Sequence, residues 1–151
     1  LDTKRPAPGA SPGATSDPDA WAHAALESAG ADDLLRILPE GLDTRILDRG
    51  ANLSGGQRQL LALARALAAD IPVLVLNDPT TAVDAVTEHK IAQGVREARK
   101  VEDRITVLIA KAPALLDQAD RVLFVRGGEV SAEGPHHELM HAEAYRKVVQ
   151  R

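Results

Sequence analysis

The sequence predicts an α/β layered fold, and three patterns support that prediction. Segments with helical periodicity alternate with short apolar runs, which is the order of elements in layered α/β proteins. Residues 71–76 form an uninterrupted apolar run between Asp70 and Asn77, and such a run is typical of a parallel strand covered on both faces. A glycine pair at residues 127–128 separates two further apolar segments and predicts a β-hairpin.

The N-terminal part predicts a linker followed by two helices. Residues 1–16 are rich in Pro, Gly, Ala and Ser, which is the composition of a loop or linker. Asp17 and Pro18 mark a helix start, because aspartate caps free N–H groups and proline fits the first helical position. This helix is expected to stop at Gly30, and a second short helix is expected over residues 32–38.

The helix that follows the turn-rich residues 40–53 has the most regular pattern. Ser54 is expected to cap it, and four apolar residues fall at i, i+3, i+4 and i+7 along one stripe. These four residues are Leu60, Leu63, Ala64 and Leu67. We therefore expect this helix to pack against the core through that stripe.

The elements after residue 70 follow the alternating order. The expected elements are a strand at 71–76, a helix at 85–101 weakened by Gly94, a buried strand at 105–110, a short helix at 114–118, a hairpin of 122–125 with 129–132, and a final helix at 135–149. Strands therefore alternate with helices, which is the order of an α/β layered fold.

Composition and charge exclude several classes of protein. The formal net charge of −4 at pH 7 argues against a nucleic-acid-binding surface, which needs a basic field. The chain has no cysteine, so a disulfide framework and a cysteine metal site are both excluded. No apolar run in the sequence approaches the roughly 20 residues needed to span a bilayer.

The strongest chemical pattern is the sequence LSGGQRQ at residues 53–59, at the start of the predicted helix. Ser54 supplies a hydroxyl, while Gly55 and Gly56 let backbone N–H groups approach a ligand, and Gln57 adds a neutral donor. The positive end of the helix dipole lies at the same place, so the pattern predicts an anion site. A serine-capped helix with a glycine turn is the ordinary alternative interpretation.

Further segments follow LSGGQRQ in a fixed order. They read VLVLNDPTTAVD at 73–84, TVLIAK at 106–111, ADRV at 119–122 with glycines at 127–128, and EGPHHEL at 133–139. In order and spacing, these segments together resemble the ATP-binding cassette (ABC) ATPases over nearly the whole chain, and the tail looks most like the exporter branch. The resemblance implies a P-loop NTPase-like layered fold, with a partial parallel sheet and a helical subdomain.

The resemblance also implies ATP and Mg²⁺ as ligands and gives roles to four further residues. Asp84 matches the aspartate of the D-loop, a segment that crosses the dimer interface in the family, and it could equally cap the next helix. Asn77 stands where the family has the aspartate that holds Mg²⁺ through water. Asp78 stands at the catalytic glutamate, and Lys111 at the histidine that contacts the γ-phosphate.

These departures from the family pattern predict a weakened ATP site. Asn77 is uncharged, so it should hold the metal less strongly. Asp78 is one methylene shorter than glutamate, and a displacement on the order of 1 Å at a catalytic group can cost about 100-fold in rate. Lys111 offers a point charge in place of an imidazole, and a polar strand end with an exposed lysine is the ordinary alternative. His136 and His137 are expected on the surface, without a metal.

No G-x-x-x-x-G-K-[ST] phosphate loop occurs in the sequence. The resemblance therefore implies that the N-terminal half of the domain, with its Walker A loop, is absent from this chain, which alone is not expected to hydrolyse ATP. We expect exposed sheet edges and apolar surface as a result. The implied division is a linker at 1–16, a helical subdomain with the signature helix at 17–69, and the C-terminal part of the ATPase core at 70–151.

The resulting hypothesis is a part of the ATP-binding subunit of an ABC exporter, at the cytoplasmic face of a membrane. Its signature would complete the ATP site of a second nucleotide-binding domain in a heterodimer, and a transmembrane domain would be the other partner. ATP binding and hydrolysis would then be coupled to transport. The alternatives are a non-catalytic ABC-derived binding or regulatory module or remnant, and a soluble cassette protein of translation or DNA repair.

Overall fold

The computed structural model describes residues 17–69 and 71–150, which form an α/β fold. The predicted linker at 1–16 lies outside the described residues. The helices are α1 Pro18–Ser28, α2 Asp32–Ile37, α3 Gly55–Ala68, α4 Ala85–Arg99, α5 Pro113–Asp117, α6 His136–Leu139 and α7 Glu143–Val149, with 3₁₀ turns at Gly41–Asp43 and Asp48–Gly50. The strands are β1 Val73–Asn77, β2 Ile105–Ile109, β3 Val122–Arg126 and β4 Glu129–Gly134.

Helix α1 begins and ends where the sequence predicted, at the Asp17 cap with Pro18 and just before Gly30. The Asp17 carboxylate accepts a hydrogen bond from the N–H of Asp19 at 3.0 Å, and Pro18 fills the first helical position. Gly30 follows the last turn with φ of +66°, a left-handed conformation that glycine adopts without strain. Trp21, the chain's one tryptophan, lies partly buried on this helix.

The first hydrophobic core lies among α1, α3, α4 and β1. Leu63 and Ala64 of α3 are buried in it, and Leu60 and Leu67 pack against it while partly exposed, so the predicted stripe is confirmed. Ile91 of α4 is fully buried, at 0% exposure. This core therefore joins the helices before residue 70 to the first strand after it.

Gly94 has a tertiary role in addition to its expected weakening of helix α4. A Cβ atom on Gly94 would lie 2.1 Å from the carbonyl oxygen of Ser28. The backbones of α1 and α4 therefore approach to a distance that only glycine permits. Helix α4 ends at Arg99, two residues before the predicted end, and its C-cap is Lys100.

Strands β1 and β2 form a two-stranded parallel sheet, paired in step from Val73 opposite Ile105 to Asn77 opposite Ile109. Of β1, Leu74 and Leu76 are buried. The apolar side chains of the opposite face are 43–59% exposed, and they are Val73, Val75, Ile105, Val107 and Ile109. Among residues 17–69 and 71–150 nothing covers this face, so the prediction of a strand covered on both faces is wrong for the described structure, whereas the expected exposed apolar surface is present.

The Arg99 guanidinium joins the end of α4 to the start of both parallel strands. Its side chain is largely buried and donates to the carbonyl oxygens of Ile71 at 2.8 Å, Pro72 at 3.2 Å and Ile105 at 3.2 Å. Its Nε donates to the Thr106 hydroxyl at 3.1 Å. One charged donor group thus binds carbonyl oxygens of three residues at the strand ends, in addition to the backbone hydrogen bond that Pro72 accepts from Ile105.

The glycine pair forms the predicted hairpin turn. Strands β3 and β4 are antiparallel, and Gly127 and Gly128 between them have φ of +61° and +84°. A β-hairpin with a two-residue loop of type I′ requires positive φ at both loop residues. The pairing register shifts between Phe124 and Val125, where Ser131 of β4 is passed over, which marks a β-bulge or similar irregularity in β4.

The predicted single helix at 135–149 is wrong, because the segment forms the two helices α6 and α7. Tyr145 of α7 is buried at 2% exposure, and its ring meets that of Phe124 edge-on at 5.4 Å. The Tyr145 hydroxyl lies 2.8 Å from Nδ1 of His136. In one straight helix these two residues would be roughly 13 Å apart along the axis, so the break brings them together.

The second hydrophobic core lies beneath the hairpin and contains Tyr145. It is formed by Leu116, Val122, Leu139, Tyr145 and Val149. Burial raises the pKa of the Tyr145 hydroxyl. His136 is half-buried and its ring contacts that of Tyr145, so it lies at the rim of this core, which corrects the expectation of a surface residue, whereas His137 is exposed.

Among residues 17–69 and 71–150, no helix is long and apolar enough to cross a membrane.

Replacing Gly94 with alanine is expected to destabilise the fold by about 1–3 kcal/mol, the usual cost of overpacking. The added methyl group would overlap the Ser28 carbonyl oxygen. Helix propensity alone predicts the opposite, namely that alanine raises the free energy of unfolding by about 1 kcal/mol. Urea unfolding measures the difference, and the exposed Gln93→Ala on the same helix is the control, with a change below about 0.5 kcal/mol. A stabilised Gly94→Ala would contradict the close contact.

Candidate functional site

The signature segment, residues 53–59, begins with a closed hydrogen-bonded turn. The Ser54 hydroxyl accepts from the N–H of Gln57 at 3.2 Å, and the N–H of Ser54 donates to Oε1 of Gln57 at 2.7 Å. This reciprocal pair is a capping box, so the expected serine cap is present. The amide nitrogen of Gln57 is not part of this pair and can still donate.

Arg58 fixes the chain just before this turn. Its Nη1 donates to the carbonyl oxygens of Leu53 at 2.7 Å and Gly50 at 3.4 Å. Its aliphatic stem lies so close to Gly50 that a Cβ there would be 2.8 Å from Cδ of Arg58. Gly50 has φ of +68°, and Leu53 is buried. The approach to the signature turn is therefore set by one arginine and one glycine.

The open side of the turn fits an anion. Ser54 and Gly55 are exposed, and the nearest heavy atom to a Cβ built on Gly55 is 4.0 Å away. The first N–H groups of a helix lack intrahelical acceptors, and α3 is 14 residues long, so its positive dipole end is well developed. A phosphate group could approach these donors directly.

Asn77, Asp78 and Lys111 come together at the carboxyl edge of the β1–β2 sheet. Asn77 pairs with Ile109, and the N–H of Asp78 donates to the carbonyl oxygen of Ile109 at 2.8 Å. Lys111 follows two residues later, and all three predicted residues are exposed. Asp78 has φ of +44°, a strained conformation for a residue other than glycine.

The strand-end loop, residues 78–82, is tied to helix α3 by Gln59. Nε2 of Gln59 donates to the carbonyl oxygen of Asp78 at 2.8 Å and to the Thr81 hydroxyl at 3.1 Å. Oε1 of Gln59 accepts from the N–H of Ala82 at 3.0 Å. Gly56 permits this approach, because a Cβ there would lie 2.8 Å from the Ala82 carbonyl oxygen.

Asp84 caps helix α4, as its ordinary interpretation predicts. Its carboxylate accepts from the N–H groups of Val86 at 2.9 Å and Thr87 at 3.0 Å, and from the Thr87 hydroxyl at 2.8 Å. The hydrogen bonds from Thr87 lower the pKa of Asp84 below its usual value. The cap leaves the predicted D-loop role open, because the residue is exposed.

The residues at the strand end fit Mg²⁺ poorly. Asn77 and Asp78 provide one amide oxygen and one carboxylate, and only the second carries charge. Within residues 17–69 and 71–150, no group of three histidine, cysteine, aspartate or glutamate side chains is placed to hold a metal ion. Hard cations such as Mg²⁺ favour carboxylate oxygens, so these two residues supply less than the usual metal site.

The part of the sequence that carries the signature turn matches a known family. The sequence model of the family described as ABC transporter matches residues 4–81, just over half of the chain. The chain belongs to the ABC transporter family. The match begins within the segment predicted as a linker and includes the whole signature segment and Asp78.

Curated ABC proteins match over most of the chain. It is 41% identical over 117 residues to the ATP-dependent lipid A-core flippase of Burkholderia orbicola, which covers 78% of this chain and 19% of the flippase. It is 38% identical over 125 residues to the uncharacterized ABC transporter ATP-binding protein YknU of Bacillus subtilis, covering 83% of this chain and 21% of that protein. The chain thus spans about a fifth of the length of these relatives.

A solved structure confirms the ABC fold. A bacterial Atm1-family ABC exporter with ATP bound superposes with a TM-score of 0.74 and 30% sequence identity. The superposition covers 90% of this chain and 24% of the exporter chain. The predicted P-loop NTPase-like layered fold of an ABC ATPase is therefore confirmed, while the roles of the individual site residues stay predictions.

Sequence reasoning missed the polar side chains that hold the site in place. Arg58, Gln59 and Arg99 each bond to backbone groups outside their own turn of helix. The signal available for Gln59 was its position beside the apolar stripe of α3, where a polar residue lies at the margin of the core. For Arg99 no comparable signal existed, because its partners lie up to 28 residues away.

The two signature glycines should respond differently to alanine. Gly56→Ala is expected to cost about 1–3 kcal/mol of stability, because the new methyl group meets the Ala82 carbonyl oxygen. Gly55→Ala is the matched control, with room for a methyl group and a change within about 1 kcal/mol of zero. Urea unfolding of both variants measures the difference. Equal stabilities would show that the α3 turn does not press on the strand-end loop.

The Asp84 cap should make stability depend on pH. Its folded pKa is lowered, so its stabilising contribution is present above pH 3.8, the ordinary value, and is lost as the pH falls through the folded pKa. Asp84→Asn keeps an acceptor oxygen but removes this titration. We expect the melting temperatures of the two proteins to converge on acidification below pH 3.8. A constant difference from pH 7 down to acid would contradict the cause given for the shift.

Proposed function

We propose that this chain is part of the ATP-binding subunit of an ABC exporter, and that its signature segment completes an ATP site held by a second subunit. The observation that supports this most strongly is a contrast between two regions. The turn at Ser54 is capped, open and fitted to an anion, whereas the strand end carries Asn77 and Asp78 in place of the family's aspartate and glutamate.

The similarity to exporters supports the transport role. The flippase of Burkholderia orbicola is named as ATP-dependent, and the Atm1-family structure is described as an exporter with ATP bound. A transmembrane domain and a second nucleotide-binding domain are the partners this role requires. The proposed location is the cytoplasmic face of a membrane, and the proposed ligands are ATP and Mg²⁺.

The chemistry of the strand end supports an unequal pair of sites. Asn77 can accept a hydrogen bond from a water molecule but adds no negative charge next to a cation. Asp78 retains a carboxylate that can orient water, though on a shorter side chain. Lys111 can pair with phosphate as a point charge but cannot also accept a hydrogen bond. These three residues support slow hydrolysis at this chain's own half-site.

At the signature turn, this chain's residues bind and orient rather than react. The hydroxyl of Ser54, the N–H groups of the first turn and the amide of Gln57 provide neutral donors for phosphate oxygens. Donors fixed by a capping box need little reorganisation when charge develops on a phosphate, which is how preorganised sites stabilise a transition state. The bond that breaks belongs to the nucleotide of the partner subunit.

Two substitutions in the assembled transporter test this proposal. Ser54→Arg places a long cationic side chain at the turn and is expected to lower ATP hydrolysis about 100-fold, as displacement of bound groups by about 1 Å can do. Asp78→Asn removes the remaining acid and is expected to leave the rate within about threefold, because the other site carries most of the turnover. Ser131→Arg on the exposed strand β4 is the control.

The reverse pattern would reject the unequal pair. If Asp78→Asn abolishes hydrolysis while Ser54→Arg spares it, this chain's own half-site is the active one. If neither change affects the rate, the non-catalytic binding or regulatory module becomes the better description.

A further inference from the structure

Gln59 connects two parts of the chain that are separated by up to 23 residues in sequence. It lies on the second turn of α3, and both ends of its amide are used. The nitrogen donates to Asp78 and Thr81, and the oxygen accepts from Ala82. The N–H of Ala82 can only donate, so the atom of the Gln59 amide that faces it must be the oxygen.

The strand-end loop depends on such contacts. Asp78 has the left-handed φ of +44°, which costs free energy for a residue with a side chain. Its N–H is held by Ile109, and its carbonyl oxygen accepts from Gln59 and from the Thr81 hydroxyl at 3.3 Å. On the other side, the buried Thr80 donates to Glu88 of α4 at 3.3 Å. The loop is therefore clamped between α3 and α4.

The same helix carries the signature turn. Gln59 lies five residues after Ser54 on α3, about one and a half helical turns away, so the two cannot move independently without breaking the helix. The contact of Gly56 with the Ala82 carbonyl oxygen adds a second point of support next to Gln59. A displacement of the loop is thus transmitted directly to the residues that face the anion site.

We propose that Gln59 is a positioning residue that holds the strand-end loop against the signature helix, so that Asp78 and the signature turn keep a fixed separation. The inference rests on the proposed function, in which the turn serves the nucleotide of a partner subunit and the loop serves this chain's own. Gln59 then couples the two half-sites mechanically through one side chain. Both ends of its amide are already bonded to protein groups, so its effect is expected on rate rather than on affinity.

Local hydrogen exchange in the full-length transporter tests the contact itself. Gln59→Met keeps the length of the side chain and removes its hydrogen bonds. We expect the Ala82 amide to exchange about tenfold faster, the size that follows from losing about one net hydrogen bond. Peptides from α1 should be unchanged. Gln93→Met, on the exposed face of α4, is the matched control and should leave the Ala82 amide as in the wild type.

Steady-state ATP hydrolysis tests the positioning role. Gln59→Met is expected to lower kcat about tenfold and to leave KM for ATP within about twofold, because an interaction made in the transition state is lost while nucleotide binding is retained. Thr81→Val removes a hydroxyl that bonds to both Gln59 and Asp78. The kcat of the double variant is expected to be no lower than that of the more impaired single variant, since both changes break one network.

Three results would overturn the inference. They are an unchanged Ala82 exchange rate in Gln59→Met, a raised KM with kcat intact, and multiplicative losses in the double variant. Each of these results differs from a failure of the proposed function, which would be seen as an unchanged rate of ATP hydrolysis in Ser54→Arg. A Gln59→Met protein that unfolds is recognised by faster exchange in the α1 peptides. Gln59→Glu keeps the acceptor for Ala82 but loses the donor to Asp78 and Thr81, so it then replaces Gln59→Met in the hydrolysis measurement, where kcat should still fall with KM unchanged.

Discussion

Helices α1 and α4 come into close backbone contact at Gly94, where a methyl group would overlap the carbonyl oxygen of Ser28. That approach sets the distance between α1 and α4. Helix α3 packs against both, with Leu63 and Ala64 turned into the same core as Ile91. Since the signature turn is the first turn of α3, its place relative to the strand-end loop follows from how these three helices pack.

Polar side chains complete what packing begins. The apolar core fixes the layers to each other, but it does not fix a loop that leaves a strand in a strained conformation. Gln59 secures that loop from the side of α3, and Arg99 secures the opposite ends of β1 and β2 through three carbonyl oxygens. The parallel sheet is thus held at its carboxyl edge by an amide and at its amino edge by a guanidinium.

The parts of the fold that were predictable from the sequence are those set by local chemistry. Caps at Asp17, Ser54 and Asp84 depend on residues within three positions of each cap, and the glycine pair of the hairpin depends on its own φ angles. The motif segments led to the fold and family by resemblance, and both are confirmed. The coverage of the sheet was not predictable, because apolar runs do not reveal whether a covering layer belongs to the same stretch of chain.

Contacts between residues far apart in the chain could not be predicted from the sequence either. The break at residues 140–142 follows from the fit of Tyr145 beneath the hairpin, which no helical periodicity encodes. The partners of Gln59 lie 19 to 23 residues away, so a single sequence offers no means of pairing them. Of the candidate site, the residue types were therefore predictable, whereas the network that joins them was not.

The elements that carry the two hydrophobic cores differ in their aromatic residues, and this gives each its own optical signal. Trp21, the chain's one tryptophan, lies partly buried on α1, the helix that carries Leu26 of the first core, and Tyr145, the one tyrosine, lies in the second core. Tryptophan emission therefore reports the helical layer that carries the signature, while tyrosine absorbance reports the hairpin and its terminal helices. A difference between the two signals during denaturation would reveal whether the halves of this chain come apart in one step or in two.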